Sequence, residues 1–259
     1  MSINKLIIIS VLSLFYCGVE RTGAQTVRAT NYSAKVVSVL PHDINAYTQG
    51  LFFHDNRLFE SSGQYGQSFF REVDLKTGNT VRSFNLPARY FAEGAVVLND
   101  KLYILTWMEN EVLVYDINSF RQIGQLRNPR EGWGLTTDGN ILIASDGSAN
   151  LYFHDPITFR ELSRVEVRLN GVALSQLNEL EYIDGKVWAN VFGTDNIAII
   201  DPVSGEVTGM VDCRNLLPRS LRTAKTDVLN GIAYNPKDGS IYLTGKYWPR
   251  MFKIELVNK

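Results

Sequence analysis

The residues best suited to chemistry in this 259-residue chain stand at one recurring position of five related segments: Gln49, Glu93, Trp133, Asn178 and Asn230. Glu93 is the only acid of the five, since the other segments carry amides or an indole there. A lone carboxylate among amides can accept a proton and return it, provided that its pKa lies near the working pH. We therefore interpret Glu93 as the candidate acid–base residue.

A second set of side chains is expected to meet the first at the same place. Its members keep fixed spacings from the segment starts, with Trp107 and Phe192 at fourteen residues after, Lys246 at sixteen after, and Tyr47 and Phe91 at two before. One carboxylate, one ammonium, several amides and an aromatic wall describe a pocket for a small polar ligand. Desolvation by the aromatic wall would raise the pKa of Glu93, whereas Lys246 would lower it. The alternative is a set of packing residues around a water-filled channel.

The elements that position these residues follow from an internal repeat. The segments begin at 49, 93, 133, 178 and 230, which are 44, 40, 45 and 52 residues apart, as in "EGAVVLNDKLYILTW" and "NELEYIDGKVWANVF". Each segment reads as a strand, an Asn/Asp/Gly turn and a second strand, which is a hairpin pattern. A further strand ending in Asp, a turn and a fourth strand follow, as in "AIIDPVSGEVTGMVD". Four strands at this period are typical of propeller blades.

The last repeat lacks its fourth strand. "MFKIEL" supplies a third strand near the C-terminus, and "YSAKVVSVLPHD" at residues 32–43 has the fourth-strand pattern. The sequence thus predicts an all-β fold, a five-bladed β-propeller whose last blade is closed by the N-terminal strand. Residues 32–259 would form this single domain. Closure of this kind removes two open sheet edges, which would otherwise invite aggregation.

Composition excludes several classes of function. The formal net charge is −1 and there is no charged block, so nucleic-acid binding is not expected. The three histidines, His42, His54 and His154, lack metal-ligand spacing, so no catalytic metal is expected. Only Cys213 lies beyond the N-terminal segment, and a lone cysteine makes no disulfide within one chain.

The N-terminal segment predicts export. A Lys5-containing start, an apolar run over 6–15 and small residues at 23–24 read as a secretory signal over residues 1–24. Cleavage after Ala24 would leave Gln25 first, whereas "LFYC" at 14–17 could instead be a degenerate lipoprotein box with Cys17 lipidated. The expected location is periplasmic or secreted, with lipid anchoring at Cys17 as the alternative. The apolar run is too short to span a bilayer, and no later segment is apolar enough to do so. The protein is expected to be a monomer.

Several motifs carry a specific family resemblance. "YTQGL", "FAEG", "LTW", "NELEYIDGKVWANVF", "LNGIAY" and "TGKYWP" resemble the plant-type (papaya-type) glutaminyl cyclotransferases, which also occur in bacteria. The similarity covers roughly residues 32–256. The family has a five-bladed propeller fold, the same architecture that the repeat predicts.

The resemblance implies a reaction and assigns roles to residues. An N-terminal glutamine of a peptide or protein would cyclise to pyroglutamate with loss of ammonia. Glu93 matches the family's catalytic acid, and Gln49, Asn178 and Lys246 match polar residues of its pocket. The aromatic lining corresponds to Tyr47, Phe91, Trp107, Trp133 and Phe192. The family often has Phe at the position of Tyr47 and Trp at that of Phe192, which puts substrate preference in doubt more than activity.

The implied reaction needs no cofactor for catalysis. Nucleophile and electrophile belong to one residue, so positioning and one proton shuttle could suffice. The resemblance also permits a structural Ca²⁺ on the propeller axis, held by backbone carbonyl oxygens. Two other functions remain open, a non-catalytic propeller that binds peptides or other ligands of the cell envelope, and a metal-dependent hydrolase or lactonase. The latter is disfavoured because the inner positions hold one carboxylate and no histidine.

Overall fold

The computed structural model describes residues 28–259, so the predicted signal segment 1–24 and Cys17 lie outside the described residues. These residues form an all-β fold whose one helical element is a 3-10 turn, Arg219–Leu221. No helix among them is long and apolar enough to cross a membrane.

The strands are, in chain order, β1 (Thr30–Pro41), β2 (Thr48–His54), β3 (Arg57–Ser62), β4 (Phe69–Val73), β5 (Thr80–Asn85), β6 (Ala92–Leu98), β7 (Lys101–Thr106), β8 (Glu111–Asp116), β9 (Gln122–Arg127), β10 (Leu135–Thr137), β11 (Leu142–Ala144), β12 (Asn150–His154), β13 (Glu161–Glu166), β14 (Arg168–Leu169), β15 (Val172–Ala173), β16 (Leu177–Ile183), β17 (Lys186–Val191), β18 (Asn196–Ile200), β19 (Val207–Asp212), β20 (Leu229–Asn235), β21 (Ser240–Gly245) and β22 (Arg250–Asn258).

Most strands belong to antiparallel groups of four. The first group is β2–β5, the second β6–β9, the third β10–β13 and the fourth β16–β19. The fifth group is β20–β22 with β1 added antiparallel beside β22. β1 also pairs in parallel with β19 over Thr30–Ser33, which joins the fourth and fifth groups into one eight-stranded sheet. The short hairpin β14–β15 lies outside these groups, and the repeat did not predict it.

Local sequence explains the tight hairpins. Asp55–Asn56 and Asn99–Asp100 both have positive φ at each residue, with values of 48°, 59°, 52° and 59°. Two-residue loops with this geometry match the twist of the flanking strands, and Asn and Asp tolerate it best after glycine. The later turns depend on a side chain: the Oδ1 atom of Asp74 accepts hydrogen bonds from the backbone N–H and the hydroxyl of Thr77. The same pattern recurs at Asp116, Asp155 and Asp201.

The described apolar core consists of five clusters, each between two groups. They join the first group to the second, the second to the third, the third to the fourth, the fourth to the fifth, and the fifth back to the first. The first strands of the five groups follow the same circular order. Each contacts the next in space, from β2 through β6, β10 and β16 to β20, and β20 contacts β2 in turn. The fold therefore brings the starts of these five strands close together.

Candidate active site

One cavity of about 310 Å³ collects nine of the ten residues that the sequence singles out. Its lining is Tyr47, Gln49, Gln64, Phe91, Glu93, Trp107, Trp133, Asn178, Phe192 and Lys246. The tenth residue, Asn230, is fully buried and hydrogen-bonded to the lining instead. The described cavity thus joins residues from every one of the five groups or from the loops beside them.

A β-bulge at the start of four inner strands aims the polar residues. The pairing register shifts between Thr48 and Gly50, between Ala92 and Ala95, between Leu177 and Leu180, and between Leu229 and Ile232. Gln49, Glu93, Asn178 and Asn230 lie within these irregular stretches. Bulges bend a strand and redirect a side chain, and they are common beside active sites. The third group differs, because β10 starts at Leu135 and Trp133 precedes it.

Glu93 is a buried carboxyl group with one amide donor. The residue is 5% exposed, and its Oε1 atom accepts a hydrogen bond of 2.9 Å from the Gln49 Nε2 atom. Burial raises its pKa well above the ordinary range, and the charges of Glu109 and Glu131 add to this while Lys246 opposes it. Burial therefore changes the pKa of Glu93 more than the nearby Lys246 ammonium does. The sequence alone had left the balance between these two effects open.

Lys246 is a buried ammonium enclosed by aromatic rings. Its Nζ atom lies 4.5 Å from the ring centre of Tyr47 and 5.3 Å from that of Phe192. Burial lowers the pKa of Lys246, while Glu93 and Asp227 raise it. Attraction to the faces of aromatic rings stabilises a desolvated cation. The cavity thus holds a positive charge near the carboxyl group without exposing it to bulk water.

The amides form a chain that ends on Glu93. Asn230 donates from Nδ2 to the Thr48 carbonyl oxygen at 2.9 Å and to Gln49 Oε1 at 3.3 Å, and Gln49 donates in turn to Glu93. Asn178 is only 3% exposed, yet its Oδ1 atom has no hydrogen-bond partner among residues 28–259. A buried acceptor left without a donor is costly unless a ligand or water supplies one. Asn178 therefore offers the cavity an unused acceptor.

Aromatic side chains wall the cavity. The ring centres of Tyr47 and Phe91 are 6.0 Å apart, and those of Phe91 and Trp107 are 5.5 Å apart, both in edge-on geometry. Trp133 meets Phe192 edge-on at 5.6 Å. Such a wall excludes water and strengthens the electrostatic interactions within it.

Sequence reasoning missed Gln64, although the fourteen-residue spacing came close to it. Fourteen residues after Gln49 stands Gly63, and fourteen after Trp133 stands Gly147. A Cβ atom at Gly63 would lie 2.3 Å from the Phe91 ring, and one at Gly147 would lie 2.7 Å from the Trp133 ring. These glycines make room for the wall, and the side chain comes instead from Gln64, whose φ of 135° is rare for a residue with a side chain.

Comparison with known proteins places this chain in a family. A family model described as glutamine cyclotransferase matches residues 8–256. This chain belongs to that family. A glutaminyl-peptide cyclotransferase of Arabidopsis thaliana is 40% identical over 226 residues, which are 86% of this chain and 71% of the relative. The crystal structure of Myxococcus xanthus glutaminyl cyclase superposes with a TM-score of 0.83 at 35% identity and covers 90% of this chain and 100% of that one.

In this glutamine cyclotransferase family member, the cavity lining brings one carboxyl group, that of Glu93, together with one ammonium group, that of Lys246, and with the amides of Gln49, Gln64 and Asn178. Burial raises the pKa of the Glu93 carboxyl group, and the Lys246 ammonium opposes that rise. Within residues 28–259, no group of three or more His, Cys, Asp or Glu side chains is placed to hold a metal ion.

Proposed function

We propose that this protein is a glutaminyl-peptide cyclotransferase that uses Glu93 as its proton shuttle. The observation that supports this role is the buried Glu93 carboxyl group, bonded to Gln49 in the same cavity as Lys246. The substrates are peptides or proteins with an N-terminal glutamine. The products are the pyroglutamyl peptide and ammonia.

The first step is attack of the substrate's α-amine on its own γ-carbonyl carbon. The C–N bond of the five-membered ring forms, and Glu93 removes a proton from the attacking nitrogen. The carbonyl oxygen becomes an oxyanion, which the Lys246 ammonium stabilises electrostatically. Because both reacting groups belong to one residue, the site needs only to hold the side chain in a folded conformation.

In the second step the bond between the γ-carbon and its original nitrogen breaks. The protonated Glu93 returns its proton to that nitrogen, which leaves as ammonia, and the oxyanion becomes the lactam carbonyl. The raised pKa suits Glu93 to both transfers, since a general acid–base works best near the ambient pH. The amide nitrogen of the substrate donates a hydrogen bond to Asn178 Oδ1 and so supplies the partner that this buried oxygen lacks.

The remaining residues would prepare the cavity. Gln49 and Asn230 orient the Glu93 carboxyl group through their chain of amide hydrogen bonds. Tyr47, Phe91, Trp107, Trp133 and Phe192 enclose the apolar part of the glutamine side chain. These roles are proposals that rest on placement in or beneath the cavity.

The test is ammonia release from a Gln-Ala dipeptide by the purified protein. Turnover together with a product 17 Da lighter than the substrate, as loss of ammonia requires, supports the cyclase. Folded protein that binds the dipeptide without turnover would favour the alternative, a non-catalytic peptide-binding protein. Fold alone does not decide between these functions.

We also propose that the five strand groups are the blades of one five-bladed β-propeller formed by residues 32–259. The circular order of the inner strands and of the core clusters supports this arrangement. The N-terminal strand β1 would complete the last blade beside β22. Export to the periplasm or the medium, lipid anchoring at Cys17 as its alternative, and a monomeric state remain proposals from the sequence, which the intact mass of the purified protein would test.

A structural Ca²⁺ on the axis also remains a proposal. The side chains there are a poor cage, because the two oxygens of Glu179 already accept the backbone N–H groups of Leu51 and Ile232. Calcium takes about six to eight oxygen ligands, so most would have to be backbone carbonyls. If the ion is present, a chelator lowers the melting temperature and added Ca²⁺ restores it. An unchanged melting temperature would argue against it.

A further inference from the structure

A single carboxylate, that of Glu131, links two tryptophans of the aromatic wall. The Oε2 atom of Glu131 accepts hydrogen bonds from the indole Nε1 of Trp107 at 3.0 Å and of Trp133 at 3.2 Å. Trp107 follows β7 in the second group, whereas Trp133 precedes β10 in the third. Glu131 thus joins side chains from two groups that meet at the cavity.

The link closes a ring around the cavity. One row runs through Trp107, Phe91 and Tyr47, and the other through Trp133 and Phe192. Lys246 spans the gap between the far ends of the two rows, since its ammonium lies over both Tyr47 and Phe192. The gap between the near ends is spanned by Glu131. The wall is therefore a closed circuit of rings with one cationic and one anionic link.

Backbone hydrogen bonds hold the two residues that follow Glu131. Gly132 donates from its N–H group to the carbonyl oxygens of Thr106 at 3.2 Å and Trp107 at 3.0 Å. The Trp133 carbonyl oxygen accepts from the Gly94 N–H group at 2.7 Å, directly after Glu93. Glu131 is exposed, but the backbone that carries its side chain is fixed by these hydrogen bonds. Hydrogen bonds to an ionised acceptor are stronger than those between neutral groups.

We infer that Glu131 is a positioning residue for the cyclisation, whose carboxylate holds the Trp107 and Trp133 indoles closed around the bound glutamine. This rests on the proposed function, because the enclosed group is the substrate side chain. The indoles contact the substrate and Glu131 acts through them. Loss of the link lets both rings rotate outward and admits water between the two rows.

The charge of Glu131 has a separate effect that must be distinguished from positioning. Glu131 and Glu109 both raise the pKa of Glu93 by repulsion, and Lys246 lowers it. Glu109 bonds the Tyr65 hydroxyl at 2.8 Å and not an indole. Glu109→Gln is therefore a matched control, which removes a charge of the same sign and leaves the indole link intact.

The experiment compares Glu131→Ala, Glu131→Gln and Glu109→Gln with the unchanged protein in steady-state kinetics on Gln-Ala. We expect Glu131→Ala to raise KM by about tenfold with a smaller fall in kcat, as loss of substrate enclosure requires. Glu131→Gln keeps an acceptor oxygen, so its KM should stay within about threefold of the unchanged value. Both glutamine variants should shift the acidic limb of the pH profile to lower pH, because each removes a repelling charge.

Tryptophan fluorescence and near-ultraviolet circular dichroism give a readout that needs no turnover. Glu131→Ala should change both spectra without lowering the melting temperature, while Glu131→Gln and Glu109→Gln should resemble the unchanged protein. Equal KM increases in the Ala and Gln variants, or an unchanged KM in Glu131→Ala, would overturn the inference. If the unchanged protein releases no ammonia, the proposed function fails instead, and unchanged spectra in Glu131→Ala would separately refute the link.

Discussion

Two buried glutamates, Glu93 and Glu60, lie near each other in the fold, and their pKa values are shifted in opposite directions. Glu93 has one amide donor, and burial raises its pKa. Glu60 is equally buried, but it bonds the Arg71 guanidinium, His42 at 2.9 Å and the Thr48 hydroxyl at 2.6 Å. Burial raises the pKa of Glu60 too, yet Arg71 and His42 outweigh it and hold the pKa below its usual range.

The difference shows that burial alone does not prepare a carboxyl group for catalysis. Full pairing commits Glu60 to the ionised form and to structure, since its network ties β3 to β4 and to the segment between β1 and β2. Incomplete pairing leaves Glu93 able to change its protonation state. Thr48 and Gln49 are adjacent in the chain, so the paired network also supports the start of β2, from which Gln49 reaches Glu93.

The strongest way to break the comparison is to remove the titrating group of the cavity. Glu93→Gln should lower kcat for Gln-Ala by about 10²–10⁴-fold, because no other carboxyl group of the described residues lines the cavity to shuttle the proton. Circular dichroism and the melting temperature should show a folded protein. Full activity in this variant would remove Glu93 from the mechanism.

The corresponding change in the paired network should act on stability. Glu60→Gln should lower the free energy of unfolding by about 3–5 kcal/mol, because it leaves the buried Arg71 without its main partner. Denaturant unfolding measures the loss. The control is Glu255→Gln, which removes an exposed ion pair with Lys35 and should cost about 0–1 kcal/mol. Equal losses in the two variants would contradict the assigned role of Glu60.

Removing the cation of the cavity should raise the pKa of Glu93 further and so increase its difference from that of Glu60. Lys246→Met should lower kcat by about 10²–10³-fold, as expected for loss of an oxyanion-stabilising charge. The residual activity should have its acidic limb at higher pH, because Lys246 lowers the pKa of Glu93. A pH profile of kcat/KM that keeps its acidic limb in place would show that the two charges are not coupled.

The smallest effect is a difference in how stability depends on pH. A raised pKa means that folding favours protonated Glu93, so this group costs stability as pH rises above the unfolded value near 4.5. A lowered pKa means that Glu60 contributes stability above that value and loses it as acid protonates the folded protein. Glu93→Gln should therefore gain stability relative to the unchanged protein as pH rises above about 4.5, while the loss in Glu60→Gln should shrink as pH falls below about 4.5. Unfolding curves from about pH 2 to about pH 7 would check both slopes.

The repeat in the sequence predicted much of this arrangement. Spacing alone placed Glu93 with Gln49 and Asn178, because equivalent positions of successive repeats meet around one centre. The Glu93–Glu60 contrast was not predictable in this way. Glu60 stands in "LFESSG" without any local sign of Arg71 or His42, whose contacts depend on pairing between strands. Gln64 and Glu131 were missed for a related reason, since both lie on loops outside the repeating strand pattern.

The pairing of β1 has a consequence for how the chain is made. β1 is the earliest strand of the described residues, but its main partner β22 is the latest, and the Lys259 N–H group bonds the Asn31 carbonyl oxygen at 2.9 Å. Among the described strands, β1 is synthesised first, yet it cannot pair with β22 until translation is nearly complete. Contacts of such long sequence separation slow folding. The start of β1 lies beside the end of β22. A circular permutant that joins these two ends and opens the chain between Pro41 and Ala46 would therefore make β22 and β1 an ordinary hairpin.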